Sequence, residues 1–89
     1  MEGRIRVVLV DDHAIVRAGL KVLLNLEPDI EVIGEAGNGA EGIERVRALR
    51  PDVVVMDLEM PGMTGLEATR EILAAGGDTR VLVLSLIHI

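Results

Sequence analysis

Val53-Val54-Val55-Met56-Asp57, followed by Leu58-Glu59-Met60-Pro61-Gly62-Met63 and then Thr64-Gly65-Leu66-Glu67, decides how this chain folds. Four consecutive apolar residues after Pro51-Asp52, three of them β-branched, read as a strand buried on both faces. Such a strand needs helices above and below it. Pro61-Gly62 marks the loop that leaves it. Thr64 and Glu67 have the spacing of a capping box, in which each residue satisfies a free backbone N–H of the other. A helix therefore opens here and runs toward Gly76-Gly77, a favourable C-terminal stop. Asp57 stands where the strand becomes a loop.

The same alternation continues on either side. Ile5 to Val10 is a second apolar, β-branched strand, closed by Asp11-Asp12. Val16, Leu20, Leu23 and Leu24 recur at helical spacing, and Pro28-Asp29 marks a turn. Ile30 to Ala36 alternates apolar and polar residues, as a half-exposed edge strand does. Gly37-Asn38-Gly39 is a turn. Ala40, Ile43, Val46 and Leu49 form the inner stripe of a second helix, with Glu41, Glu44, Arg45 and Arg47 on its solvated face. Downstream, Arg80 to Leu84 is a fourth strand, followed by Ser85. The order β-α-β-α-β-α-β implies right-handed crossovers and a doubly wound, parallel α/β sheet covered on both faces.

Composition narrows the possibilities. The chain has 89 residues, enough for one domain, and 49% of them are hydrophobic with no Phe, Tyr or Trp, so its core is aliphatic. The absence of cysteine rules out disulfides and thiolate metal sites and fits a reducing cytoplasm. A net charge of −6 makes the chain itself a poor nucleic-acid binder. No apolar run reaches the roughly 18 residues of a membrane span, and the N-terminus lacks a secretory pattern.

In a doubly wound sheet, ligands sit beyond the carboxyl ends of the strands. The first strand ends in Asp11-Asp12, the third in Asp57 and the fourth in Ser85. If the first and third strands are neighbours, about 4.8 Å apart, three carboxylates converge. Such charges repel one another or recruit a cation. Oxygen donors without His or Cys favour a hard ion such as Mg²⁺, whose customary partner is a phosphate. A carboxylate can itself be the nucleophile and form an aspartyl phosphate, and Ser85 could donate a hydrogen bond to it. Taken singly, each residue has a plainer reading. Asp11-Asp12 alone reads first as a helix N-cap, and Asp57 alone equally well as a turn former before Pro-Gly. Gly37-Asn38-Gly39 lacks the spacing of a phosphate-binding loop. His13 reads as a surface residue at a helix start.

Val7-Val8-Leu9-Val10-Asp11-Asp12-His13, Val16-Arg17-Ala18-Gly19-Leu20, Gly34-Glu35-Ala36-Gly37-Asn38-Gly39 and the stretch from Pro51 to Gly65 together resemble a two-component response-regulator receiver domain. The acidic pair followed by His and the Gly-Glu-Ala-Gly-Asn-Gly segment look most like the subfamily with a LuxR-type helix-turn-helix output domain. The resemblance spans residues 5 to 85 and implies a flavodoxin-like sheet of order 2-1-3-4-5. Residues 1–89 then form the N-terminal portion of the receiver domain, without its fifth strand, fourth and fifth helices, or output domain.

The resemblance also implies roles. Asp57 accepts phosphate from a phosphohistidine of a sensor histidine kinase. Asp12 and Asp57 ligate Mg²⁺, Asp11 assists through water, and Glu59 contributes its main-chain carbonyl while its side chain tunes reaction rates. Ser85 is the switch hydroxyl. Such a domain is not an enzyme, although it assists its own phosphoryl transfer. It belongs in the cytoplasm, with no membrane association. The full-length protein would dimerise on activation and regulate transcription, touching DNA only through the missing output domain. Two features depart from the pattern. The family's phosphate-binding Lys follows the fifth strand, whereas the one Lys here is Lys21 in the first helix, and Leu86-Ile87-His88-Ile89 fits the family poorly. The alternative function is an Mg²⁺-dependent, aspartate-nucleophile phosphohydrolase, another α/β class. It wants Asp-x-Asp where this chain has Asp57-Leu58-Glu59, and it places its nucleophile on the first strand.

Overall fold

The structure is a computed structural model that describes residues 3–58, 60 and 62–84. Strands and helices alternate as β1 (Ile5–Val10), α1 (Ala14–Asn25), β2 (Ile30–Ala36), α2 (Gly39–Leu49), β3 (Val53–Asp57), α3 (Gly65–Ala74) and β4 (Arg80–Leu84). All three strand pairs are parallel, in the order β2-β1-β3-β4. This reproduces the first four positions of the 2-1-3-4-5 sheet. The chain leaves β1 on one side for β2 and returns on the other for β3, so the strand order reverses between β1 and β3.

Strand periodicity sorts the apolar residues onto two faces. Val8 and Val54 are in register with Val81, and Val10 and Met56 with Val83. On this face Val8, Val10, Val54 and Met56 join Ala36, Ile43, Met60, Ala68 and Ile72 in one buried cluster under α2 and α3. The opposite face carries Val7 and Leu9, also buried. Glu35, in register with Leu9, meets Arg17 and Lys21 of α1, which places α1 over that face.

Local chemistry sets the helix boundaries. Asn38 caps α2, its side chain accepting from the Glu41 N–H at 2.8 Å, while Glu41 accepts from the Gly37 N–H. Thr64 and Glu67 form the complete capping box of α3. Gly76 and Gly77, at φ 83° and 90°, end that segment in the left-handed region glycine tolerates.

Two details of the sequence reading change. The inner row of α2 is Gly39, Gly42 and Ile43, with Val46 and Leu49 half-buried and Ala40 exposed. A Cβ at Gly42 would lie 2.9 Å from Val10 Cγ2, so the helix approaches β1 along a row that lacks side chains. In α1, Leu23 is exposed and no residue is fully buried; Val16, Leu20 and Leu24 are half-buried.

Candidate metal centre

The carboxyl end of β1 is held by three contacts. The Asp11 N–H donates to the Ala36 carbonyl at 3.0 Å, extending the ladder to β2. The Arg17 guanidinium donates to the main-chain oxygen of Asp11 and, at 3.1 Å, to Glu35. Glu35 also receives Lys21 at 3.1 Å, and the two cations hold its carboxyl below the usual range against a smaller effect of burial, the Lys21 hydrogen bond contributing most. Arg17 and Lys21 are thereby committed to joining α1 to β2.

Asp57 closes β3, in the strand next to β1. Asp11 and Asp57 are 3% and 2% exposed, deep placements for acidic side chains. Behind them, Gly65 lets α3 rest against the turn: a Cβ there would overlap the Asp57 carbonyl oxygen and fall 2.8 Å from Leu58 Cα.

His13 completes the group. Its N–H donates to Asp11 Oδ1 at 2.7 Å, a turn closed by the aspartate side chain. That turn swings the imidazole over the strand ends. Nδ1 lies 2.8 Å from Asp11 Oδ1, 3.1 Å from Asp12 Oδ1 and 3.6 Å from Asp57 Oδ2. One ligand atom from each of the four residues falls within 4.8 Å of the others. The Asp11 hydrogen bond raises the His13 pKa above 6.5, with partial burial opposing and the charges of Asp12, Asp11 and Asp57 adding to the rise.

The carboxylates singled out from sequence, Asp11, Asp12 and Asp57, therefore converge. Glu59 and Ser85 lie outside the described residues. His13 is more than a surface residue: its position directly after an acidic strand end was the available signal, but only the fold shows which way the ring turns. Three carboxylates around one point fit a divalent cation, since their mutual repulsion becomes attraction once such an ion is present. A separate cavity of about 610 Å³ opens at the other end of the sheet between α2 and α3. Arg47, Arg50, Asp52, Glu71 and Asp78 around it mix both signs and build no comparable donor set.

A doubly wound parallel sheet with acidic side chains gathered at its switch point defines an open α/β protein whose chemistry lies beyond its strand ends. The response regulator receiver domain family matches residues 7–88, and the chain belongs to it. It is 52% identical over 81 residues to the transcriptional regulatory protein LiaR of Bacillus subtilis, covering 91% of this chain and 38% of that protein. A two-component response regulator of the LuxR family from Aurantimonas superposes with a TM-score of 0.87 at 42% identity, over 93% of this chain and 59% of that one. A protein-glutamate methylesterase/protein-glutamine glutaminase of Nocardioides is 46% identical over 81 residues, 91% of this chain but only 22% of that protein. The chain thus spans well under half the length of these curated relatives, one of which is an enzyme.

Receiver domains serve phosphorylation-controlled two-component signalling and typically bind Mg²⁺ at an acidic pocket. This membership does not favour the phosphohydrolase alternative. Response regulators of this family work with sensor histidine kinases and are typically cytoplasmic. Among the described residues, no helix is long and apolar enough to cross a membrane.

Proposed function

We propose that this chain is the phosphoacceptor module of a transcriptional response regulator, with Asp57 as the residue that takes the phosphoryl group. The observation that carries this reading is the convergence of Asp11, Asp12 and Asp57 at the switch point between β1 and β3. A carboxylate oxygen of Asp57 attacks the phosphorus of a kinase phosphohistidine. The new O–P bond forms as the P–N bond breaks, and the imidazole leaves with the bonding pair. Asp12 and Asp57, with Asp11 through water and the main-chain carbonyl of Glu59, would hold Mg²⁺. Bound there, the ion would neutralise charge spread over the transferred oxygens. The close approach of Gly65 to the Asp57 main chain fixes where that carboxylate stands. Ser85 donates its hydroxyl to the bound phosphoryl group.

The module is a signalling domain and not an enzyme in its own right. Its partner is a sensor histidine kinase in the cytoplasm. The complete protein dimerises on phosphorylation and binds DNA through an output domain outside residues 1–89. Incubation with acetyl phosphate and Mg²⁺, read by intact mass, tests the assignment. One phosphoryl adduct is expected in the wild type and none in Asp57→Asn. An adduct that persists in Asp57→Asn overturns it.

A further inference from the structure

We propose that His13 is a nitrogen ligand of the acidic site and that it makes the site select divalent transition ions, Zn²⁺ or Co²⁺, more strongly than carboxylates alone would. This inference rests on the metal-binding part of the function proposed above and concerns which ion that site prefers.

Geometry is the first argument. In an octahedral complex with bonds of about 2.1 Å, adjacent donor atoms sit about 3.0 Å apart. The His13 Nδ1 contacts to Asp11, Asp12 and Asp57, at 2.8, 3.1 and 3.6 Å, bracket that edge. An ion held by the carboxylates is therefore within reach of the ring nitrogen without a change of backbone.

The backbone supplies the second argument. His13 is the N-cap residue of α1, with φ −91° and ψ 101°, and its side chain makes no capping hydrogen bond to the helix. Its main chain is fixed at both ends, the N–H by Asp11 Oδ1 and the carbonyl by the Arg17 N–H. The ring is presented to the acidic group by a held backbone, and its orientation is not spent on closing the helix.

Chemistry decides which ions benefit. Mg²⁺ prefers oxygen and gains little from an imidazole, whereas Zn²⁺, Co²⁺ and Ni²⁺ gain strongly. Three carboxylates with a neutral imidazole retain the charge that attracts any divalent ion. The nitrogen adds a bond that only the transition ions use well. Two metals compete at such a site through the ratio of their affinities, and His13 sets that ratio.

Isothermal titration of the chain with Zn²⁺ and, separately, Mg²⁺ tests this in mildly alkaline buffer. His13→Asn is compared with wild type, both on a His88→Asn background, because His88 is the only other imidazole. His13→Asn is expected to weaken Zn²⁺ about 10- to 100-fold, the size seen when support of a metal site is removed, and to change Mg²⁺ less than about threefold. Zn²⁺ should also shift the ¹⁵N resonance of His13 Nδ1. Asp12→Asn should weaken both ions. Equal loss of Zn²⁺ and Mg²⁺ in His13→Asn, or retained Zn²⁺ affinity, overturns the proposal while leaving the acidic site intact. Failure of Asp12→Asn to weaken either ion would instead remove the acidic site itself.

Discussion

The two ends of the sheet use charge in opposite ways. At the amino ends of the strands, Arg6 and Asp52 lock adjacent β1 and β3 together. The Arg6 N–H donates to the Asp52 carboxylate at 2.8 Å, and the Asp52 N–H returns a bond to the Arg6 carbonyl at 2.9 Å. The Arg6 guanidinium then takes the carbonyls of Leu49 and Arg50 at 2.8 and 2.9 Å. Those oxygens belong to the end of α2, where no helical N–H remains to receive them. Arg50, left-handed at φ 48°, turns the chain into Pro51. Both charges, Arg6 and Asp52, are met there by backbone groups. At the carboxyl ends, three acids are brought toward one point with a single imidazole among them. One end spends charge on holding the fold. The other accumulates charge that an incoming cation or phosphoryl group can use.

The largest expected effect comes from breaking the support beneath the acidic end. Gly65→Ala places a Cβ against the backbone of Asp57 and Leu58, and backbone cannot rotate away as a side chain can. We expect a loss of about 3 kcal/mol, at the upper end for overpacking, together with slower phosphorylation because the Asp57 carbonyl must move. Urea denaturation and the acetyl phosphate reaction would measure the two. A variant as stable as wild type would show that α3 does not rest on this turn.

Arg6→Met attacks the other end. It keeps an apolar stem and removes two charge-assisted bonds to helix carbonyls. Arg6 is half-buried, so the expected cost is about 1–2 kcal/mol, which for a domain of this size lowers Tm by roughly 4–16 °C. Phosphorylation of Asp57 should be unchanged in rate at a temperature where the variant is folded. A change in rate without a loss of stability would contradict the division between the two ends.

These two sites differ in how far sequence alone exposes them. The strands were legible because unbroken β-branched runs have few other uses, and the Asp11-Asp12 and Asp57 assignments followed from where those runs stop. The capping box at Thr64 was legible because both partners lie within four residues. Gly42 and Gly39 were not, since periodicity registers side chains and these helix positions work by lacking them; Ala40 took their place in the pattern. Leu23 failed for a related reason: spacing marks the apolar flank of α1 without saying how much of it a neighbour covers. Arg6 interrupts an apolar strand, but its partners Leu49 and Arg50 are main-chain atoms more than 40 positions away. His13 has the same local signal whether its ring meets solvent or the end of β3.

A smaller effect of opposite sign sharpens the comparison. Asp12→Asn removes one of three like charges within 4.8 Å. In metal-free buffer at a pH above the raised His13 value, the variant should be more stable than wild type by up to about 1 kcal/mol, the size of such a repulsion in water. Adding Mg²⁺ should reverse the order, because the wild type gains binding free energy that the variant loses. A charge whose removal stabilises the empty protein is not there for folding. If Asp12→Asn destabilises the metal-free chain, the carboxyl end is held together by its charges as the amino end is.

The smallest effect is a pH slope confined to the acidic end. His13 binds its proton more tightly in the folded protein than at its ordinary value of 6.5, chiefly through its hydrogen bond to Asp11. Between that value and the raised one, the folded state carries more protons than the unfolded state, so stability falls as pH rises. The contribution is complete below 6.5 and is lost as pH passes through the folded value. Glu35 behaves in the mirror sense: Lys21 and Arg17 lower its pKa from 4.5, so its contribution is present above that value and is lost as pH falls through the lowered one. Denaturant midpoints of the metal-free chain, followed from weakly acidic to weakly alkaline buffer, should therefore decline on the alkaline side. His13→Asn should flatten that decline by lowering the midpoints in weakly acidic buffer, where the imidazolium contribution is complete, and changing them least in alkaline buffer. Arg6→Met should lower the whole curve while keeping its shape, because its partners are backbone carbonyls that do not titrate. A decline that survives in His13→Asn would mean that the imidazole is not protonated against Asp11, and the distinction between a titrating end and a fixed end would fail.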